Sequence, residues 1–185
     1  MVTEKVSLKG KVIWFFGMCG AGKTTLADLL AKELKEKGHK VERLDGDIVR
    51  KALCKELGFS KEDVFENIRR VCYVADILSQ NDITVIASFI TPHKANRLYL
   101  KTKLGSRLIL VHVMTSVEEC IKRDPKLLWK KALNGVITNL AGLDAPFDPV
   151  DHSSGFTIDV PTSKRSVEDT YGTLIELLRF WYYEI

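Results

Sequence analysis

The sequence predicts a doubly wound α/β domain, with a parallel sheet of about five strands carrying helices on both faces. Three observations lead there. Short apolar runs alternate with longer segments of helical period, the pattern of repeated βαβ units. The first run, Val12–Phe16 (VIWFF), is apolar at every position, as a strand buried on both faces must be. The length, 185 residues, fits one domain (1–185) with room for a sizeable core that needs no disulfides.

The elements follow in order. Leu26, Leu29, Leu30 and Leu34 recur at helical spacing from Lys23 to Lys37, and Gly38 is the expected residue just past that helix. Val41–Leu44 reads as a second strand ending at Asp45-Gly46-Asp47. Two helices are expected next, about 48–57 and 61–80, parted by Gly58-Phe59-Ser60. Thr84–Ile90 (TVIASFI) is the third strand, and Pro92 opens a helix with a basic face. Leu108–Met114 is the fourth strand, followed by a helix over 117–122. From 124 to 156 the periodicity fades among Pro125, Pro146, Pro149, Gly135 and Gly142, which predicts a partly helical, mobile segment. Thr157–Val160 is expected as the fifth strand and Val167–Tyr183 as a closing helix. Core packing is the expected role of its aromatic end, Phe180-Trp181-Tyr182-Tyr183, with a subunit interface as the alternative.

Composition removes several function classes. Lys and Arg number 28 against 24 Asp and Glu, a net of +4 that is evenly spread, so a dedicated nucleic-acid partner is not expected. A small anionic substrate stays open. The uncharged stretch 12–22 is broken by glycines and falls well short of the roughly 20 apolar residues of a membrane helix. The opening MVTEKVSLKGK lacks the apolar core of a secretory signal, so a cytoplasmic location is expected. Cys19, Cys54, Cys72 and Cys120 form no CxxC pair and read as free thiols; His39, His93, His112 and His152 are too dispersed for a ligand set.

Gly17-Met18-Cys19-Gly20-Ala21-Gly22-Lys23-Thr24 matches GxxxxGK[ST] at every fixed position, between a buried strand and an amphipathic helix. In such a P-loop the glycines turn backbone N–H groups inward, forming an anion-binding nest at the positive end of a helix. Lys23 then reaches the β- and γ-phosphates, and the Thr24 hydroxyl holds Mg²⁺. A glycine-rich turn without chemistry leaves a lysine at the start of an apolar-faced helix unexplained. A P-loop NTPase fold that binds a nucleoside triphosphate is therefore expected.

P-loops serve motors, GTPases and small kinases alike. No NKxD-type guanine-reading segment is present, and the rest of the chain suits a kinase. Asp45-Gly46-Asp47-Ile48-Val49-Arg50 lies at the carboxyl end of the second strand, the edge where ligands bind in an open parallel sheet. Asp47 can orient a hydroxyl, accept its proton or join the Mg²⁺ shell, and Arg50 can pair with an anionic acceptor. An Asp N-cap beside a solvated Arg is the structural alternative. A lid is expected over about 124–156, beginning at Lys122-Arg123-Asp124-Pro125-Lys126 and running through Lys130 and Lys131 to Asn139-Leu140-Ala141-Gly142. A solvated basic face is the alternative there.

Together these residues resemble the adenylyl-sulfate (APS) kinase family, P-loop enzymes that phosphorylate the 3′-hydroxyl of adenosine 5′-phosphosulfate (APS) with MgATP. The likeness runs from about Lys11 to about Asp159, through LDGDIVR (44–50), LGFSKEDVFENIRR (57–70), SFITP (88–92), RDPKLLWKKA (123–132) and NLAGLDAPFD (139–148). It implies that the loop from Gly17 to Thr24, with Thr25 and Arg123, binds ATP. Lys23, Asp47 and Thr91 are implied as catalytic, and Thr24 and Asp47 as the Mg²⁺ residues. Arg50 and Asn67 are implied to contact the acceptor, Phe59 to stack on its adenine, Ile90 to line the same pocket, and Lys126 to reach in from the lid. Thr91 falls where the family usually has a serine sometimes assigned as a phosphorylated intermediate; direct in-line transfer is the simpler mechanism. The resemblance also implies a homodimer and a place in sulfate assimilation.

Two departures bear on the acceptor. Val64 stands where the family usually places an arginine that helps bind the acceptor nucleotide. Leu140 stands where a lid aromatic completes a sandwich on adenine with the Phe59 position. Losing a charged hydrogen bond costs about 1.5–3 kcal/mol, and losing a stacking face about 1–3 kcal/mol. Together that is roughly ten- to a thousandfold in affinity, unless Arg69, Arg70 or Lys94 compensates. Two further readings follow: a related kinase acting on another small hydroxyl or modified-nucleotide acceptor, and a non-catalytic ATP-binding module.

Overall fold

All five residues of β1 (Val12–Phe16) are buried, because this strand lies in the middle of the sheet with a layer of helices on either face. The sheet is parallel throughout, in the order β2 (Val41–Asp45), β3 (Thr84–Ser88), β1, β4 (Leu108–Met114), β5 (Thr157–Pro161). The structure, a computed structural model, describes residues 7–152 and 157–181.

The pleat of β1 divides the core in two. Ile13 and Phe15 pack with Leu26, Leu30 and Leu34 of α1 (Lys23–Glu36) and with Leu174 and Leu178 of α7 (Val167–Trp181). Val12, Trp14 and Phe16 pack on the other side with Ile68, Val71 and Ala75 of α3 (Lys61–Gln80) and Leu100 of α4 (Lys94–Leu104). The remaining helices are α2 (Gly46–Leu53), α5 (Val117–Arg123) and α6 (Leu128–Leu133), with a 3₁₀ turn at Gly105–Arg107. Among the described residues no helix is long and apolar enough to cross a membrane. All four cysteines are free and buried.

Most boundaries fall where the pattern puts them, and the exceptions have local causes. Helix α3 starts at Lys61 because Ser60 caps it, its hydroxyl accepting from the Asp63 N–H at 3.1 Å. Helix α2 stops at Leu53 instead of Leu57: Cys54 leaves helical geometry, and Arg70, reaching from α3, donates to the Leu53 carbonyl at 3.0 Å. Strand β3 ends at Ser88 rather than Ile90, since the chain turns through Thr91 at φ 47°. Helix α4 begins two residues after Pro92, where the Asp148 carboxylate accepts the Lys94 N–H at 2.8 Å. Over 124–152 the expected partial helix is α6. At the C-terminus, α7 ends at Trp181 and Phe180 is 80% exposed, which corrects the expectation that this residue packs in the core. Tyr182 and Tyr183 lie outside the described residues.

Candidate active site

The carboxyl edge of the sheet opens into a cleft of about 1120 Å³, floored by the segment after β1 and roofed by 125–141. Of the residues to which the family resemblance gives a site role, all but Gly17 and Met18 line it. Those two hold the loop from behind. Gly17 adopts φ 146°, and a β-carbon there would sit 2.6 Å from the Val113 carbonyl oxygen. Gly20, at φ 80°, would place one 3.0 Å from the Cys120 carbonyl. Only glycine allows both the turn and the approach.

Helix α1 then begins with no side-chain cap and no acidic residue in its first turn. Its amino-terminal N–H groups and positive dipole end are left for an anion. The Lys23 ammonium donates to the Met18 carbonyl at 2.7 Å, folding back over the loop. Burial among apolar walls disfavours its charge and lowers its pKa to about 8. A polyphosphate favours the charged form, so binding raises that pKa and takes up a proton wherever Lys23 is neutral beforehand. Metal-free AMPPNP should therefore bind with constant affinity below pH 8 and progressively more weakly above it, by up to about tenfold per pH unit. Calorimetry from pH 7 to 10 checks this, and in Lys23→Met the slope should be absent.

The Thr24 hydroxyl donates to Asp45 Oδ2 at 3.2 Å. Asp45 caps α2, taking the Asp47 N–H on Oδ1 at 3.0 Å, and its Oδ2 also receives the Ser88 hydroxyl at 3.1 Å. Burial pushes the Asp45 carboxyl up, but these hydrogen bonds and the Arg43 charge outweigh it, leaving its pKa below the ordinary value. Thr24 and Asp47 are the expected metal pair. The carboxylate that meets Thr24 belongs to Asp45, while Asp47 pairs instead with Lys126 of the roof. Burial opposes the Lys126 charge, yet the Asp47 carboxylate prevails and raises its pKa. The oxygens of Thr24 and Asp45 form a hard donor set that suits Mg²⁺, so the residues present fit the ion.

The acceptor half is lined by Arg50, Phe59, Val64, Asn67 and Ile90. Arg50 is not a solvated cation: it donates to the Leu57 carbonyl at 3.0 Å and to the Gly58 carbonyl at 2.8 Å, with its guanidinium 4.3 Å from the Phe59 ring centroid. That stack holds Phe59, which is 62% exposed. Asn67 Oδ1 is buried without a hydrogen-bond partner among the described residues, an acceptor suited to a ligand donor. Arg69 and Arg70 do not replace the cation absent at Val64. Both are held by Glu66, Arg70 also by Glu56, and neither they nor Lys94 line the cleft. Thr91 follows Ile90 in the chain. It is 1% exposed, and its hydroxyl accepts from the Trp14 indole N–H at 2.9 Å.

The roof is fastened to the loop. Trp129 is wholly buried, its indole N–H donating to the Cys19 carbonyl at 2.9 Å. Asp124 accepts the backbone N–H groups of Trp129 and Lys130 at 3.1 and 2.9 Å. Leu140 is 6% exposed and joins the same core cluster, so the aliphatic residue that lines the cleft also anchors the roof. Trp129→Ala should lower the unfolding free energy by about 3–5 kcal/mol, read by urea denaturation, and weaken AMPPNP binding because the loop loses its brace. Arg123, Thr162 and Arg165 also line the cleft. Arg123 donates to the Thr162 carbonyl at 2.7 Å, tying α5 to the segment after β5.

A P-loop between the central strand and α1, facing a second carboxylate-bearing helix, defines a nucleoside-triphosphate-binding α/β protein of the P-loop class. A sequence profile of the adenylylsulphate kinase family matches residues 9–155. The adenylyl-sulfate kinase of Halothermothrix orenii is 44% identical over 170 residues, covering 92% of this chain and 90% of its own length. That of Vibrio vulnificus is 40% identical over 181 residues, 95% of this chain and 86% of its own. The Mycobacterium tuberculosis APS kinase in complex with AMPPNP and APS superposes with a TM-score of 0.81 at 33% identity, covering 92% of this chain and 98% of that one. This chain belongs to the adenylylsulphate kinase family.

Proposed function

We propose that the chain transfers the γ-phosphoryl group of ATP to the 3′-hydroxyl of APS, giving 3′-phosphoadenylyl sulfate and ADP, as a step of sulfate assimilation. The observation that carries this reading, beside family membership, is the meeting of Lys23, Asp47 and the Arg50–Phe59 stack around one cleft. A triphosphate rests on the loop N–H groups, with Lys23 drawn from the Met18 carbonyl to the β- and γ-phosphates. Arg123, whose guanidinium lies 3.5 Å from the Ala21 carbonyl of the loop, flanks it together with Thr25. The adenine of APS stacks on Phe59, Asn67 accepts a hydrogen bond from it, and Arg50 and Lys126 supply positive charge for the phosphosulfate. Asp47 takes the proton of the 3′-hydroxyl as that oxygen bonds to the γ-phosphorus and the bond to the β–γ bridging oxygen breaks, leaving ADP. Thr24 and Asp45, with Asp47 two residues on, would hold Mg²⁺, which would supply neutralising charge for the phosphates. Thr91 serves position only. The roof over 124–152 keeps water from the transfer.

Four buried free thiols accord with a cytoplasmic, reducing location. The resemblance favours a homodimer, which sedimentation equilibrium tests. The function itself is tested by kcat/KM with MgATP across APS and a panel of nucleotide acceptors, ADP release being measured. APS is expected to lead the panel. A different leading acceptor would assign the chain to another kinase reaction, for which Val64 and Leu140 give the opening. No transfer to any acceptor despite tight ATP binding would leave a nucleotide-binding module.

A further inference from the structure

Arg43 stands on β2 outside the cleft, with its side chain only 15% exposed, and all three of its nitrogens are engaged. Its Nε donates to Asp28 Oδ1 on α1 at 2.8 Å. Nη1 donates to the carbonyls of Leu44 at 2.9 Å and Ile86 at 3.2 Å, and Nη2 donates to Ser88 Oγ at 2.7 Å while lying 3.5 Å from Asp45 Oδ2. The parallel register puts Asp45 beside Ser88, and Arg43, two residues earlier, shares its side of β2. Because the Ser88 oxygen accepts from Arg43, its own proton is directed to Asp45 Oδ2, the oxygen that Thr24 also reaches. Asp28, which Arg43 grips, lies one helical turn beyond Thr24.

We propose that Arg43 is a positioning residue for the phosphoryl transfer: by bracing α1 through Asp28 and directing Ser88 at Asp45, it sets the Thr24–Asp45 pair that receives the metal of the MgATP complex. The proposal rests on the kinase reading, yet its main test needs no acceptor. A guanidinium can hold helix, two carbonyls and hydroxyl at once; a lysine, a point charge with three donors, cannot reproduce the fork.

The experiment is calorimetric titration of AMPPNP with and without Mg²⁺ on the wild type, Arg43→Met, Arg43→Lys and Asp28→Asn, with thermal unfolding as the folding control. In Arg43→Met the factor by which Mg²⁺ strengthens AMPPNP binding should fall by about tenfold, with metal-free AMPPNP affinity retained. Arg43→Lys should show most of that loss, and Asp28→Asn, which releases only α1, a smaller one in the same direction. With APS as acceptor, kcat should fall while the KM for APS is retained. An unchanged or larger Mg²⁺ factor would overturn the proposal, since an arginine that merely offsets acidic charge would, once removed, leave the metal more tightly bound. Should Arg43→Met not fold, Arg43→Lys decides by the same reading. Failure of APS as a substrate would appear in the acceptor panel and leave this comparison standing.

Discussion

Lys23→Ala is expected to lower kcat/KM by about a thousandfold or more, with AMPPNP binding greatly weakened and the fold retained. The size of the effect comes from where the ammonium sits. It is the only cation within the loop 17–24, already folded over it at 2.7 Å from the Met18 carbonyl. Lys126 and Arg123 line the cleft but are committed elsewhere, to Asp47 and to Glu119 and Thr162. The loss should not be restored by arginine, whose planar fork is not interchangeable with the compact point charge of an ammonium. Stopped assays with MgATP and APS, with circular dichroism as the folding control, check the result.

The second large effect is expected at Asp47→Asn, which keeps the shape of the side chain and removes its charge. Asp45, not Asp47, caps α2, so helix stability should change only by the few tenths to about 1 kcal/mol of a lost first-turn acid. The rate should fall by about 10²–10⁴ in kcat, because the 3′-hydroxyl loses its proton acceptor. AMPPNP binding should be largely kept. That split between chemistry and binding separates a base from a mere wall of the site. Loss of binding in parallel with rate would assign Asp47 to the metal shell instead.

How much of this was legible beforehand depended on the range of the signal. Strand β1 and the P-loop declare themselves locally, by an unbroken apolar run and by a spacing that backbone geometry demands. The start of α3 is readable because Gly58-Phe59-Ser60 parts it from α2, and Ser60 caps it. The end of α2 is not, because Arg70, 17 residues beyond Leu53, helps hold the turn. Asp45 was visible only as the close of a strand. Its importance arises from the β2–β3 register that sets Ser88 beside it, and from α1 bringing Thr24 within 3.2 Å. Arg43 gave less warning still, a charge on a strand with no periodic reason to matter. At Thr91 the sequence shows a hydroxyl but not its partner, an indole 77 residues away in the chain. Nothing local in the sequence marks the turn after β5, with Thr162 and Arg165, as a wall of the cleft.

In the proposed reaction ATP on the P-loop is attacked directly by the acceptor alcohol, with Asp47 taking the proton and no residue carrying the phosphoryl group. The stereochemical course at phosphorus tests it most directly, using ATP made chiral at the γ-phosphorus with oxygen isotopes, APS as acceptor, and analysis of the 3′-phosphoryl product. Inversion of configuration, the mark of a single in-line displacement, is the predicted result. Retention, which requires two displacements through a phosphorylated residue such as Thr91, or the absence of any 3′-phosphorylated product, would contradict it.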